Sequence, residues 1–243
     1  MTPNPFLTAW RALYGAYALT ALGLLVVLAA VLVLVVPRLA WRRSLTRQIA
    51  RLWLALAGIR LTLRGADRLP EGSCVLVANH SSYLDGVVMK AALPPRFSFV
   101  IKREAASMPV MGLLLRRIGS EFVDRHTRGG RQRDAMRVVR LAERGHSLVF
   151  FPEGTFDEVV GLKRFHVGAF VAAARAGMPL VPSVIHGARQ VLPSGTLVPR
   201  PGPVTIDVLE PLQMAECGGS AEGLRDAARA RMLAQLDLPD LAG

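Results

Sequence analysis

The 243-residue chain has only two cysteines, Cys74 and Cys217, and no C-x-x-C pair. That excludes a disulfide framework and cysteine-based zinc spacing, and it agrees with a reducing compartment. Aromatic residues make up 6% of the chain and nowhere form an aromatic-basic recognition motif, so no nucleic-acid partner is expected. Acidic residues are scarce, 18 against 30 basic ones, giving a formal charge of +12. Lysine is scarcer still: Lys90, Lys102 and Lys163 are the only three, so 27 of the 30 basic residues are arginine. Such a surplus attracts acidic lipids, phosphorylated small molecules or an acidic partner protein. GC-rich coding, which favours Arg and Ala, produces the same count with no function attached. There is no G-x-S-x-G elbow, which argues against a serine hydrolase, and there is no internal repeat or low-complexity linker.

What the chain has in plenty is apolar residue, 51% of the total, and one segment holds much of it. Ala12 to Val36 runs for 25 residues without a charge, and a spanning helix needs roughly 20. The run exceeds the apolar core of a signal peptide, and Pro37 and Arg38 end it. A membrane helix is expected, either spanning or re-entrant. Only Arg11 precedes the run, whereas Arg38, Arg42, Arg43, Arg47 and Arg51 follow it, which puts the rest of the chain in the cytoplasm. Trp41 to Leu63 reads as a second element with two open interpretations. It is either an interfacial helix, with Trp41, Trp53 and the arginines at the headgroups, or a helix packed on the protein's own core. The division expected is 1–62, membrane segment and interfacial helix, and 63–243, catalytic domain.

Beyond Leu63 short apolar runs alternate with helical stretches. "CVLVAN", "FSFVIK", "SLVFF", "LVPSVI" and "VTIDVLE" are strand candidates. Helices are expected over Gln132–Arg144, with Met136 and Val139 on its apolar face and Gly145 as its stop, and over Ala169–Ala176, closed by Gly177. Arg133, Arg137, Arg140 and Arg144 share one face of the first helix, read as solvated rather than as a docking surface. The fold class is α/β, a mixed sheet flanked by helices, with N-terminal membrane-embedded helices. Ligand sites in such sheets gather at strand ends.

One strand end stands out. "VLVANHSSYLDGVVM" delivers His80 directly after an apolar run and Asp85 five positions later. A neutral imidazole takes a proton from a hydroxyl near pH 7, and a carboxylate on its other nitrogen fixes the tautomer and stabilises the imidazolium. A turn after the strand would bring the two side chains together. By itself H-x4-D is a weak signal, because a structural histidine beside a carboxylate is common. Three further runs end alike: "FVDR" with Arg125, able to grip a phosphate bidentately; "FFPEGTF" with Glu153 and Gly154; and "VPSVIHGAR" with His186.

These four blocks, in this order and spacing, resemble the glycerolipid acyltransferases, the family typified by 1-acyl-glycerol-3-phosphate acyltransferase, over roughly Leu63 to Leu212. "NHSSYLD" is similar to the family's N-H-x4-D block. "IKREAASMPVMGLLLRRIGSEFVDR" is similar to its second, with Lys102, Glu104, Pro109, Gly112, Gly119 and Arg125 in matching places. "FPEGT", which carries Glu153, Gly154 and Thr155, resembles the third, and "VPSVIHG" the fourth.

The resemblance implies acyl transfer from acyl-CoA or acyl-carrier protein to a lysophospholipid hydroxyl at the inner membrane, without an acyl-enzyme, metal or cofactor. It implies His80 as general base, Asp85 as its orienting partner, and Arg125, Glu153, Gly154, Thr155 and Lys102 around the acceptor. Its first acceptor is 1-acyl-glycerol-3-phosphate, with another lysophospholipid or a lyso-aminolipid as the alternative. A non-enzymatic lipid-binding protein is a further alternative, against which the intact His80, Asp85, Arg125 and Glu153 count. One departure follows the third block. Where many members have a basic F-K-K-G segment, this chain reads "GLKRFHVGAF", with His166 and Val167 after Phe165 and with Lys163 and Arg164 before it. That opens the headgroup question and makes His166 a candidate contact; His126, His146 and His186 are read as structural.

Overall fold

A computed structural model describes residues 5–124 and 128–241. Its strands are β1 (Ile59–Arg64), β2 (Val75–Ala78), β3 (Ser98–Lys102), β4 (Glu121–Val123), β5 (Leu148–Phe150), β6 (Leu180–His186) and β7 (Gly202–Val208). They form one seven-stranded sheet in the order β1-β7-β6-β2-β5-β3-β4. From β6 to β4 all neighbours are parallel, β7 runs antiparallel to β6, and β1 is parallel to β7. The expected mixed sheet is therefore present. β2 is central, and its four residues are all fully buried, which is why it reads as a continuous apolar run rather than an alternating one.

The helices are α1 (Pro5–Val35), α2 (Leu39–Leu56), α3 (Leu84–Ala92), α4 (Pro109–Arg117), α5 (Arg128–Glu143), α6 (Gly168–Ala176), the short α7 (Ala188–Val191) and α8 (Ala221–Gln235). On one face of the sheet, Trp53 and Leu54 of α2 and Leu84 and Val88 of α3 pack on Leu76, Val181 and Ile206. On the other, Val138 of α5, Phe170 of α6 and Leu224 and Met232 of α8 cover Val75, Val77 and Leu180. Helix α1 is apolar enough to cross a membrane from Ala9 to Val35, with mean hydropathy 3.0. It lies along the domain: Ala29, Ala30 and Val33 pack on Leu114 of α4 and on Ile118 just after it, and the Tyr14 hydroxyl donates to Ala57 O at 2.7 Å.

The five expected strands all form, and β1 and β4 are additions. The stretch Trp41–Leu63 proves to be a helix followed by a strand. β1 pairs with β7 residue for residue, Ile59 opposite Gly202 to Arg64 opposite Asp207, so the boundary drawn at 62 falls inside a sheet strand. Trp53 is not at an interface; it is 3% exposed and its Nε1 donates to Ala18 O. Three of the arginines read as headgroup ligands instead satisfy helix-end carbonyls. Arg47 and Arg51 donate to Ala91 O and Ala92 O at the end of α3. Arg43, buried, donates to Ile118 O and Arg96 O and to Ser98 Oγ. Trp41, by contrast, is exposed. On α5 the apolar face is Val138, Val139 and Ala142, whereas Met136 is solvent-facing; the arginine face is solvated as expected, apart from Arg137, which pairs with Asp134 and Glu121.

Candidate active site

The C-terminal ends of the parallel strands open on one side, and β2 brings Asn79 and His80 there at the middle of the sheet rather than at its edge. Asn79 clamps this end. Its side chain accepts from Ile185 N at 2.7 Å and donates to Ile185 O at 3.1 Å, tying the chain beyond β2 to β6. The chain then turns into α3. Ser82 Oγ accepts Leu84 N and donates to Leu192 O at 2.7 Å, satisfying one helix-start donor and anchoring the turn.

Asp85 lies in the first turn of α3 and is fully buried. Its Oδ2 accepts from Ser81 N at 2.6 Å and Ser82 N at 2.8 Å, and it stands 2.8 Å from His80 Nδ1. With the carboxylate as acceptor, Nδ1 carries the proton and Nε2 keeps its lone pair. The imidazole stacks on Phe151 with centroids 4.4 Å apart, and the edge of Phe156 closes over it at 4.6 Å.

Glu153 lies beneath this loop, 6% exposed. Oε1 accepts His80 N at 2.7 Å and Oε2 accepts Lys163 N at 2.9 Å, so both oxygens brace backbone. Burial pushes its carboxyl above the ordinary 4.5, against the pull of those two N–H donors. Gly154 has φ +81°, and its N–H closes a turn onto Phe151 O; a side chain there would strain the bend that sets Glu153 under His80.

His80 and Glu153 open into a cavity of about 480 Å³, walled on its far side by His186, Arg189 and the segment Leu236–Leu238. Its cations are engaged. Lys163 Nζ pairs with Asp157, and Arg189 donates to the carbonyls of Asp157, Glu158 and Val159.

The structure thus brings His80, Asp85, Glu153 and Gly154 together and, among the described residues, leaves Lys102, Thr155 and His166 apart from them. Lys102 is exposed at the end of β3, and Thr155 is exposed with its hydroxyl on Phe156 O; neither lines the cavity. His166 is exposed and tied by its N–H to Pro152 O, outside the cavity wall. Arg125 and His126 lie outside the described residues; Asp134 holds Asp124, the residue before them, through its backbone N–H. Sequence reasoning missed Asn79, Phe151 and Phe156 as parts of the site; Lys163 it had noted as a basic residue before Phe165. The three missed residues sit within or beside the quoted blocks, so block membership was the available signal.

A family model described as Acyltransferase matches residues 60–186. The chain is 29% identical over 204 residues to a chloroplastic 1-acyl-sn-glycerol-3-phosphate acyltransferase of Brassica napus, covering 82% of this chain and 58% of that one. It is 33% identical over 141 residues to a lyso-ornithine lipid O-acyltransferase of Rhodobacter capsulatus, covering 58% of this chain and 49% of that one. The chain therefore spans about half the length of these curated relatives. In fold it is similar to the crystal structure of a 1-acyl-sn-glycerophosphate acyltransferase from Thermotoga maritima, with TM-score 0.80, 19% identity and coverage of 94% and 95% of the two chains.

Proposed function

The chain belongs to the acyltransferase family, and on that premise we propose that it moves a fatty acyl group from acyl-CoA or acyl-carrier protein to a lysophospholipid hydroxyl. The acceptor read first is 1-acyl-glycerol-3-phosphate, with phosphatidic acid as product. The observation that carries this is His80 Nδ1 held 2.8 Å from the buried Asp85, with the ring facing a cavity.

His80 Nε2 takes the proton of the acceptor hydroxyl as its oxygen attacks the thioester carbonyl. Asp85 stabilises the imidazolium that forms. The C–S bond then breaks as the new ester forms, and the thiolate leaves with the proton from Nε2. No acyl-enzyme is made, and the acyl donor is a co-substrate, so the step calls on no further cofactor. Glu153 and Gly154 shape the loop under His80 and set where the acceptor meets the base, and Arg125 is assigned to the acceptor phosphate.

Membrane lipids are the natural partners of α1, whose face away from the domain exposes Leu13, Leu24, Val27, Leu28, Val31 and Leu34. This supports contact with a membrane, and the excess of arginine after the apolar run over the single Arg11 before it supports the cytoplasmic side of the inner membrane.

A second reading, a lyso-aminolipid acceptor, is favoured by Asp237. It lines the cavity and has no ion-pair partner among the described residues. The experiment is an acceptor panel for the purified protein in detergent: 1-acyl-glycerol-3-phosphate, other lysophospholipids and a lyso-ornithine lipid, each with acyl-CoA and acyl-carrier donors. Preference for the lysophosphate upholds the first reading, preference for the aminolipid the second, and transfer to none overturns both.

A further inference from the structure

The cavity lined by the base at His80 is also lined by His186, which belongs to a second histidine–carboxylate pair that the transfer step does not use. His186 ends β6 and lines the same wall, and its Nε2 is 3.2 Å from Oδ2 of Asp207 on β7. The Asn79–Ile185 clamp joins the backbone just ahead of both histidines, so His80 and His186 leave adjacent strands at one level. The turn after His186 is equally fixed. Gly187 has φ +82°, and a Cβ there would lie 2.3 Å from Pro203 O, so the chain bends sharply away and leaves the imidazole at the rim.

With Nε2 turned to Asp207, Nδ1 has no partner among the described residues, and 37% of the side chain is exposed. The neighbouring cations are committed, Lys163 to Asp157 and Arg189 to three carbonyls. An imidazole set between two anions, Asp207 on one nitrogen and a bound phosphate on the other, donates an N–H to each.

We propose that His186, held by Asp207, is a positioning residue that donates a hydrogen bond to the phosphate of the acceptor and so places its hydroxyl at His80. The inference rests on the lysophosphate reading given above. It makes His186 a determinant of headgroup preference, with no part in the proton transfer itself.

The test has a turnover arm and a binding arm. Turnover compares wild type, His186→Ala, His186→Gln and Asp207→Asn on 1-acyl-glycerol-3-phosphate and on the monoacylglycerol that lacks the phosphate. A charge-assisted hydrogen bond is worth about tenfold or more. His186→Ala should therefore raise KM for the lysophosphate about tenfold, with a smaller change in kcat, and leave KM for the acyl donor and for monoacylglycerol in place. Asp207→Asn should follow it in part, and His186→Gln, which keeps a donor, should recover much of the loss.

Binding is measured with radiolabelled 1-acyl-glycerol-3-phosphate in detergent micelles, on His80→Ala and on His80→Ala/His186→Ala. The second should bind about tenfold more weakly. Equal binding, or an equal loss on acceptors with and without phosphate, overturns the inference. An inactive wild type that still binds the lysophosphate through His186 would sink the proposed function and leave this assignment standing.

Discussion

Asp85 concentrates three donors on one oxygen: two backbone N–H groups and the His80 ring. A neutral amide oxygen in its place accepts the same donors but lacks the charge that stabilises the imidazolium formed during proton transfer. Asp85→Asn should lower kcat by about 10³- to 10⁴-fold with little effect on acceptor KM; steady-state kinetics on the folded variant checks this. Glu153 makes a different prediction. In Glu153→Gln one of the two N–H donors meets an amide NH2, at a cost of about 1–3 kcal/mol. Burial raises the wild-type carboxyl above 4.5, so the folded chain holds that proton more tightly than the unfolded one. The stabilisation this gives is complete at low pH and is lost as pH rises through the raised value. The lead of wild type over Glu153→Gln in denaturant melts should therefore be largest below pH 4.5 and narrow above it. The His80–Asp85 pair was legible in the sequence because its partners are five residues apart on one turn. The Asn79–Ile185 clamp and the His186–Asp207 pair were not, since their partners lie 106 and 21 positions apart and meet only through the registers of β2, β6 and β7.

Among the elements, α2 shows how composition misleads. Its arginines suit a headgroup zone, yet Arg43, Arg47 and Arg51 satisfy carbonyls at the ends of α3 and α4 that no helical N–H can reach. Arg43→Met would leave several of those acceptors buried and unpaired, and should cost on the order of 3 kcal/mol in denaturant melts. A loss below about 0.5 kcal/mol would mean that water replaces the guanidinium readily. β1 was legible in principle. "IRLTLR" alternates with period two, and Ile59, Leu61 and Leu63 turn inward, but it follows α2 so closely that the apolar content of "LWLALAG" obscured the change of period. β4 has three residues, too few for any periodicity. The five central strands were readable because apolar runs between turn residues have few other uses.

The whole molecule raises the question of how α1 meets the membrane. At 31 residues it is about 46 Å long, enough to cross a bilayer, and the sequence leaves spanning and re-entrant placement equally open. Packing separates them. Tyr14 bonds to Ala57, Ala18 to Trp53, and Leu34 to Arg117, so both ends of α1 are attached to the same domain. A helix crossing to the far side would have to abandon those contacts or drag α2 and α4 into the bilayer. We therefore expect α1 to lie embedded from the cytoplasmic side. Ala9→Cys in intact cells should resist a membrane-impermeant thiol reagent and react after lysis, whereas labelling from outside would establish a full span.

The central claim is that His80 removes the acceptor proton. Its most direct test is acyl transfer from radiolabelled acyl-CoA or acyl-carrier protein to 1-acyl-glycerol-3-phosphate by purified wild type and His80→Ala, with folding verified by melting. Wild type should form phosphatidic acid, and the variant should be slower by about 100- to 10,000-fold with its stability retained. Transfer at the wild-type rate by folded His80→Ala would contradict the account.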